Sequence, residues 1–115
     1  MMATERYKLI GRLPVPVADL IEWASWFETA DRRVARTDVG PLHVSTVFLG
    51  IDHSFSNFPD TTPILFETMI FDDTDGLDHY CDRYASWDEA ERGHAAAVEA
   101  ARVIVAAAHP HPPVA

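Results

Sequence analysis

The fold is decided by two apolar stretches, VSTVFLGI at residues 44–51 and ILFETMIF at residues 64–71. Both are rich in β-branched and aromatic side chains and are bounded by turn-forming residues, a pattern typical of buried strands. We predict that they are neighbours at the centre of one sheet. The remaining elements are predicted in relation to this pair.

The N-terminal part predicts a strand, a helix and an edge strand. Residues 7–13 (YKLIGRL) alternate as a strand does, and Pro14 and Pro16 end the alternation. From Pro16 the apolar spacing becomes that of a helix, which we expect to lie on the sheet. Residues 31–37 predict an edge strand, because their arginines discourage edge-to-edge pairing.

The C-terminal part predicts a short last strand and a long helix. Residues 80–84 form the strand, and Ser86 and Glu89 have the spacing of a capping box that starts the helix. In that box the Glu89 carboxylate would return to the amide of Ser86. Gly93 is costly inside a helix by about 1 kcal/mol, so we expect another backbone close to it.

The predicted order β-α-β-β-β-(β)-α indicates an α+β fold. We expect a two-layer sandwich in which a largely antiparallel sheet of four or five strands carries two helices on one face. A chain of 115 residues fits one domain, which we assign to residues 1–108. The Pro- and His-rich residues 109–115 predict a disordered tail.

Charge and composition restrict the partners and the compartment. The chain has 18 acidic and 9 basic residues, a formal net charge of −9, which argues against direct binding of nucleic acid and favours a basic protein surface. The single cysteine, Cys81, cannot form an internal disulfide, and residues 1–7 contain no apolar signal core. No apolar run reaches the roughly 20 residues that span a membrane. We expect a cytoplasmic protein.

Four side chains are the candidates for chemistry. Asp52 and His53 follow the first central strand, Glu67 lies within the second, and His94 lies on the last helix. Carboxylate and imidazole groups suit zinc or iron, but no C-x-x-C or H-x-x-x-H spacing supports a metal site. We therefore predict no catalytic residue, no metal and no cofactor. In the alternative structural interpretation, His94 is a hydrogen-bonded core residue, Asp52–His53 caps a strand end, and Glu67 has an arginine or histidine partner.

Further binding candidates are aromatic or basic. Trp26 lies at the edge of the first helix stripe, where it either closes the core or anchors a partner. Phe55 lies in the long loop at residues 52–63, and loops of that length are commonly functional or mobile. The basic cluster Arg32, Arg33 and Arg36 is more typical of a solvated edge than of a phosphate site.

Three segments resemble a family of small proteins encoded by bacteriophages and prophages: VSTVFLGIDHSF at 44–55, PILFETMIF at 63–71 and YASWDEAERGH at 84–94. The resemblance covers approximately residues 7–103. In place of the family's more usual glycine-rich turn, this chain has the aspartate-rich segment DDTDGLD at residues 72–78. The resemblance implies a setting in a bacterial host, and it brings no established activity, cofactor or catalytic residue to carry over.

Small size, an acidic composition and the absence of a supported catalytic motif favour a non-enzymatic accessory protein. We expect it to bind a host or phage protein in the bacterial cytoplasm, with a defence or replication component as the target. One alternative is a small metal-binding protein or enzyme that uses Asp52, His53, Glu67 and His94. A second alternative is a homodimer without chemistry.

Overall fold

The computed structural model describes residues 5–54, 62–76 and 78–108. It has an α+β fold, as the sequence predicts, with two helices, a four-stranded antiparallel sheet and a separate two-stranded hairpin. The elements are β1 (Tyr7–Ile10), β2 (Leu13–Pro16), α1 (Leu20–Thr29), β3 (Arg33–Val39), β4 (Leu42–Phe48), β5 (Phe66–Asp72), β6 (Asp78–Tyr84) and α2 (Trp87–Ala108).

The main sheet is an antiparallel meander in the order β3-β4-β5-β6. Strands β4 and β5 are central, which confirms the prediction made from the two apolar stretches. Every second residue of β4 from Leu42 to Phe48 is buried, because successive side chains of a strand point to opposite faces of the sheet. The short last strand of the prediction is a full seven-residue strand, β6.

The prediction of one strand over residues 7–13 is wrong, because the chain reverses within it. Gly11 has a φ of +63°, a conformation that glycine adopts without steric cost, and it turns β1 back onto β2. Pro14 and Pro16 therefore lie inside β2 instead of ending a strand. They are tolerated there because β2 pairs on one side only, so a missing N–H need not break a ladder.

Helix α1 begins later than predicted and packs mainly on the hairpin. Asp19 is its N-cap and accepts hydrogen bonds from the backbone of Ile21 and Glu22 at 2.9 and 3.0 Å. The indole of Trp23 donates to the carbonyl of Tyr7 at 2.9 Å. No residue of α1 is fully buried, so this helix covers much less of the sheet than we predicted.

Helix α2 covers one face of the main sheet and contacts all four of its strands. The predicted start is confirmed, since Glu89 donates its backbone N–H to the Ser86 hydroxyl at 3.2 Å. The Glu89 carboxylate accepts from the amide of Ala85 at 3.2 Å, one residue before the predicted Ser86. Among the described residues, no helix has the length and apolar character needed to cross a membrane.

Within the described residues, the interior consists of two apolar clusters with a polar layer between them. The first contains Leu42, Val44, Ile70, Ala97, Val98 and Ala101, and the second contains Phe48, Leu65, Phe66, Tyr84 and Ala90. On each of β4, β5 and α2, one buried polar residue lies between the two clusters along the chain: Thr46, Thr68 and His94. Because these three positions face one another, the polar residues form one layer.

The close neighbour of Gly93 is a side chain and not another backbone segment, which corrects our expectation. A Cβ atom at this position would overlap the ring end of Tyr84. Tyr84 is 8% exposed and faces inward, as predicted. Its hydroxyl is buried near Thr68 but forms no hydrogen bond with a residue of the described ranges.

Candidate functional site

The face of the main sheet opposite α2 is the candidate interaction surface, which we call the open sheet face. No described helix or other strand packs on it. The strand registers arrange its side chains in three cross-strand rows: Arg33, Val47, Glu67 and Arg83; Arg36, Ser45, Met69 and Cys81; and Asp38, His43 and Phe71. Its middle is partly apolar and its two sides are charged.

Glu67 lies on the open sheet face and has the partner that the sequence predicts. The Arg83 guanidinium on β6 donates to its carboxylate at 2.9 Å across the strand pair. The Cys81 thiol lies 3.7 Å from the same carboxylate. Burial and the negative charge of Glu67 raise the pKa of Cys81, so this environment does not activate the thiol as a nucleophile.

His43 lies between two carboxylates at the end of the open sheet face. Its Nδ1 is 2.7 Å from Asp38 on β3, and its Nε2 is 2.5 Å from Asp73 in the β5–β6 turn. The hydrogen bond to Asp38, followed by the one to Asp73, raises the pKa of His43. Sequence reasoning missed this cluster, although His43 and Asp38 both flank the Gly40–Pro41 turn and so are cross-strand partners in a hairpin.

A small cleft opens beside this cluster on the open sheet face. It has a volume of about 270 Å³ and is lined by Arg33, Arg36, His43, Ser45 and Phe71. The Phe71 side chain is 43% exposed and forms its apolar wall. The cleft therefore combines donors and an aromatic ring on a surface that no described helix or strand covers.

The three arginines of the basic cluster predicted from the sequence have three different surroundings. The Arg32 guanidinium lies 3.8 Å from the centre of the Phe27 ring and donates to the carbonyl of Phe48 at 3.1 Å, so it joins α1 to β4. Arg36 forms an ion pair with Asp38, with 3.4 Å between Arg36 Nε and Asp38 Oδ1. The guanidinium of Arg33 forms no ion pair or hydrogen bond with any residue in the described ranges.

His94 is the hydrogen-bonded core histidine of the structural interpretation. Its Nδ1 is 2.7 Å from the hydroxyl of Thr46, which in turn is 2.5 Å from the hydroxyl of Thr68. Its Nε2 is 2.9 Å from the hydroxyl of Thr37. Burial lowers the pKa of His94, because the charged imidazolium is poorly solvated there. Both ring nitrogens are occupied within the protein.

Asp52 and His53 close the end of the first central stretch. Asp52 accepts hydrogen bonds from the backbone of Ser54 at 2.8 Å and of Ile64 at 2.9 Å. Burial acts to raise the pKa of Asp52, but these backbone donors outweigh it and the pKa is lowered. His53 Nδ1 lies 2.7 Å from the carbonyl of Ile51. These contacts are those of a strand-end cap.

The four residues of the predicted chemical set do not meet. Glu67 is on the open sheet face, His94 is on α2 and is buried against the opposite face, and Asp52 and His53 are at a strand end. Within residues 5–54, 62–76 and 78–108 there is no group of three His, Cys, Asp or Glu side chains that could hold a metal ion.

The two aromatic candidates have different outcomes. The ring centroids of Trp26 and Phe48 lie 5.9 Å apart in an edge-on contact. Trp26 therefore has the structural role of the two considered, because it packs against the second apolar cluster. Phe55 lies outside the described residues, as does the predicted tail at residues 109–115.

A second cleft, of about 490 Å³, lies between the β1–β2 hairpin and the start of α2. The Arg12 guanidinium lies 5.5 Å from the centre of the Trp87 ring, and both side chains also contact Glu91. These contacts join the hairpin to α2. The polar ends of Arg12 and Trp87 are thus already occupied, so the open sheet face is the better candidate.

Comparison with protein-family models, with curated proteins and with solved structures gives no match for this chain.

Proposed function

We propose that this chain is a phage-type accessory protein that binds another protein in the cytoplasm of a bacterial host, and that the open sheet face is its binding surface. The phage setting follows from the sequence resemblance, which makes a host defence or replication component the expected target. The binding role is supported above all by one observation, the absence of any described helix or strand on this face of the sheet.

The apolar content of the open sheet face supports a protein partner. Phe71 is 43% exposed, and Val47 and Met69 on the same face are only partly buried. Apolar side chains grouped on a sheet face and bordered by charges are a common feature of interaction sites. The borders here are Arg33 and Arg36 on one side and Arg83 on the other.

The distribution of carboxylates argues against a partner that is bound through negative charge alone. Glu89, Glu91 and Glu99 lie on α2, whereas Asp38 and Asp73 lie at the opposite side of the sheet. The described acidic groups thus do not form one acidic face of the kind that would occupy a basic DNA-binding groove. A mixed apolar and charged surface suits specific docking better.

The test compares a variant of the open sheet face with a matched variant elsewhere. Met69→Gln/Phe71→Ser removes apolar surface from the face without changing the net charge, and Ile104→Gln/Val103→Ser does the same on α2. Each protein is immobilised and exposed to bacterial lysate at moderate salt. We expect a protein that is retained by the wild type and by the α2 variant and is lost from the face variant.

Retention of the same protein by the face variant, or the absence of any retained protein, would contradict this function. Light scattering on the wild type examines the homodimer alternative, since a monomer has a mass of 12.8 kDa and a dimer has twice that. A dimer that the face variant converts to a monomer would assign the open sheet face to self-association.

A further inference from the structure

The cleft on the open sheet face contains a cationic side chain that the described protein does not use. Arg33 is exposed on β3, and its guanidinium has no partner in the part of the chain that the structure describes. An arginine has five N–H donors in a planar arrangement that matches a carboxylate or a phosphate. In this acidic chain, Arg33 lines the cleft together with Arg36 and His43.

The charge around the cleft favours a singly charged ligand. Arg33, Arg36 and His43 supply three cationic groups when His43 is protonated, and Asp38 and Asp73 supply two carboxylates. Asp38 already pairs with Arg36 and His43, and Asp73 pairs with His43, so among the described groups the Arg33 guanidinium is the cation left for a ligand. One carboxylate would balance it, whereas a doubly charged phosphate would exceed it.

The size of the cleft favours one side chain over a cofactor. Its volume of about 270 Å³ is below the roughly 300–1,000 Å³ of sites that bury drug-sized ligands. Ser45 also lines the cleft and carries a hydroxyl, and the Phe71 ring can cover the methylene carbons of a bound side chain. A glutamate or aspartate side chain has this combination of length and charge.

We infer that the cleft formed by Arg33, Arg36, His43, Ser45 and Phe71 binds an acidic side chain of the partner protein. Arg33 makes the main ion pair, and Phe71 packs against the aliphatic part of the same side chain. This inference rests on the proposed function and specifies its partner chemistry: the docked segment is an acidic peptide.

The probe is a blocked tetraglutamate peptide, titrated into the isotopically labelled full chain and followed by NMR. We expect saturable shifts at the backbone amides of Ser45 and Phe71. Arg33→Gln should weaken binding by about tenfold or more, because a charge-assisted bidentate pair is lost. Arg102→Gln makes the same change in net charge on α2, where Arg102 pairs with Glu99, and should leave the affinity unchanged.

Several outcomes would overturn the inference. These are equal shifts with a blocked tetraglutamine peptide, equal affinities for Arg33→Gln and Arg102→Gln, or no shift at millimolar peptide. Inorganic phosphate that binds more tightly than tetraglutamate would assign the cleft to phosphate instead. A wild-type dimer that Arg33→Gln alone converts to a monomer would mean that a second copy of this chain supplies the carboxylate.

The peptide titration needs no host protein, so its result is separate from that of the lysate experiment. A partner that Met69→Gln/Phe71→Ser loses and Arg33→Gln retains would overturn the acidic-peptide inference and leave the binding surface intact. A partner that both variants retain would overturn the proposed function itself.

Discussion

The imidazole of His94 uses both of its nitrogens inside the core, one toward Thr46 and one toward Thr37. A neutral imidazole donates through one nitrogen and accepts through the other, so the two hydroxyls provide complementary partners. If one member of such a layer is removed, the others lose a hydrogen-bond partner in a region of low dielectric, which is unfavourable. The three polar residues Thr46, Thr68 and His94 therefore act as a unit.

This coupling gives the first prediction. His94→Leu should lower the free energy of unfolding by about 1–3 kcal/mol, because Thr46 and Thr37 each lose a hydrogen-bond partner. Adding Thr46→Val and Thr68→Val to His94→Leu removes the other two polar groups of the layer and should recover the part of that loss that comes from Thr46, whereas the part from Thr37 should remain. Urea unfolding measures both. A triple variant that is no more stable than His94→Leu would contradict the account.

The two described histidines with shifted pKa values should affect stability in opposite directions with pH. The pKa of His43 is raised from 6.5, so its stabilisation is full below that value and is lost as pH rises through the raised pKa. Wild-type stability should therefore include a component that falls on the alkaline side of about pH 6.5, and His43→Gln should remove it. Urea unfolding across that range measures the component. An unchanged pH profile in the variant would contradict this.

His94 provides the opposite case. Its pKa is lowered from 6.5 by burial, so the unfolded chain binds the proton first and stability falls as pH drops below about 6.5. His94→Leu should flatten this acidic decline, although it lowers stability at neutral pH. NMR titration of the two imidazoles checks the premise directly: His43 should titrate above the ordinary value and His94 below it.

At the scale of secondary-structure elements, the approach of α2 to β6 depends on the pairing of Gly93 with Tyr84. A glycine inside a helix normally costs about 1 kcal/mol relative to alanine. Here the ring end of Tyr84 occupies the space that a Cβ atom would need. The helix accepts the cost of glycine because the tyrosine ring fills the second apolar cluster.

Gly93→Ala should consequently destabilise the protein, by about 1–3 kcal/mol, although alanine is the better helix former. In a Tyr84→Leu background the ring is absent, and the same substitution should become neutral or stabilising. Thermal or urea unfolding of the four proteins in this cycle measures the reversal. If Gly93→Ala has the same effect in both backgrounds, the close approach of ring and helix is not the reason for the glycine.

At the scale of the whole molecule, the candidate metal-ligating side chains are too far apart to form one shared site. Glu67 and His94 lie on opposite faces of the main sheet, and Asp52 is at a strand end. We expect added zinc or manganese to leave the melting temperature unchanged, since a ligand that binds only the folded state would raise it. A rise that His94→Leu abolishes would show that His94 holds a metal.

The sequence by itself determined the elements and much of their order, because the causes are local. Runs of β-branched and aromatic residues bounded by turn formers identified β4 and β5, and the Ser86–Glu89 spacing identified the start of α2. The carboxylate of Glu67 in an apolar strand predicted a cationic partner. The hairpin at Gly11 was missed because Pro14 and Pro16 suggest the end of a strand. Only the positive φ of Gly11 shows that the chain turns back and that the prolines lie in a second, paired strand.

Only the tertiary structure decided which face of the sheet is covered and which side chains meet there. The extent to which α1 covers the sheet, the cluster of Asp38, His43 and Asp73, and the cleft beside Arg33 depend on register and turn geometry. These bring together residues from separate strands and a turn, and their spacing along the chain carries no periodic signal. Local patterns fix the strands, whereas contacts between strands fix the surface that we propose binds a partner.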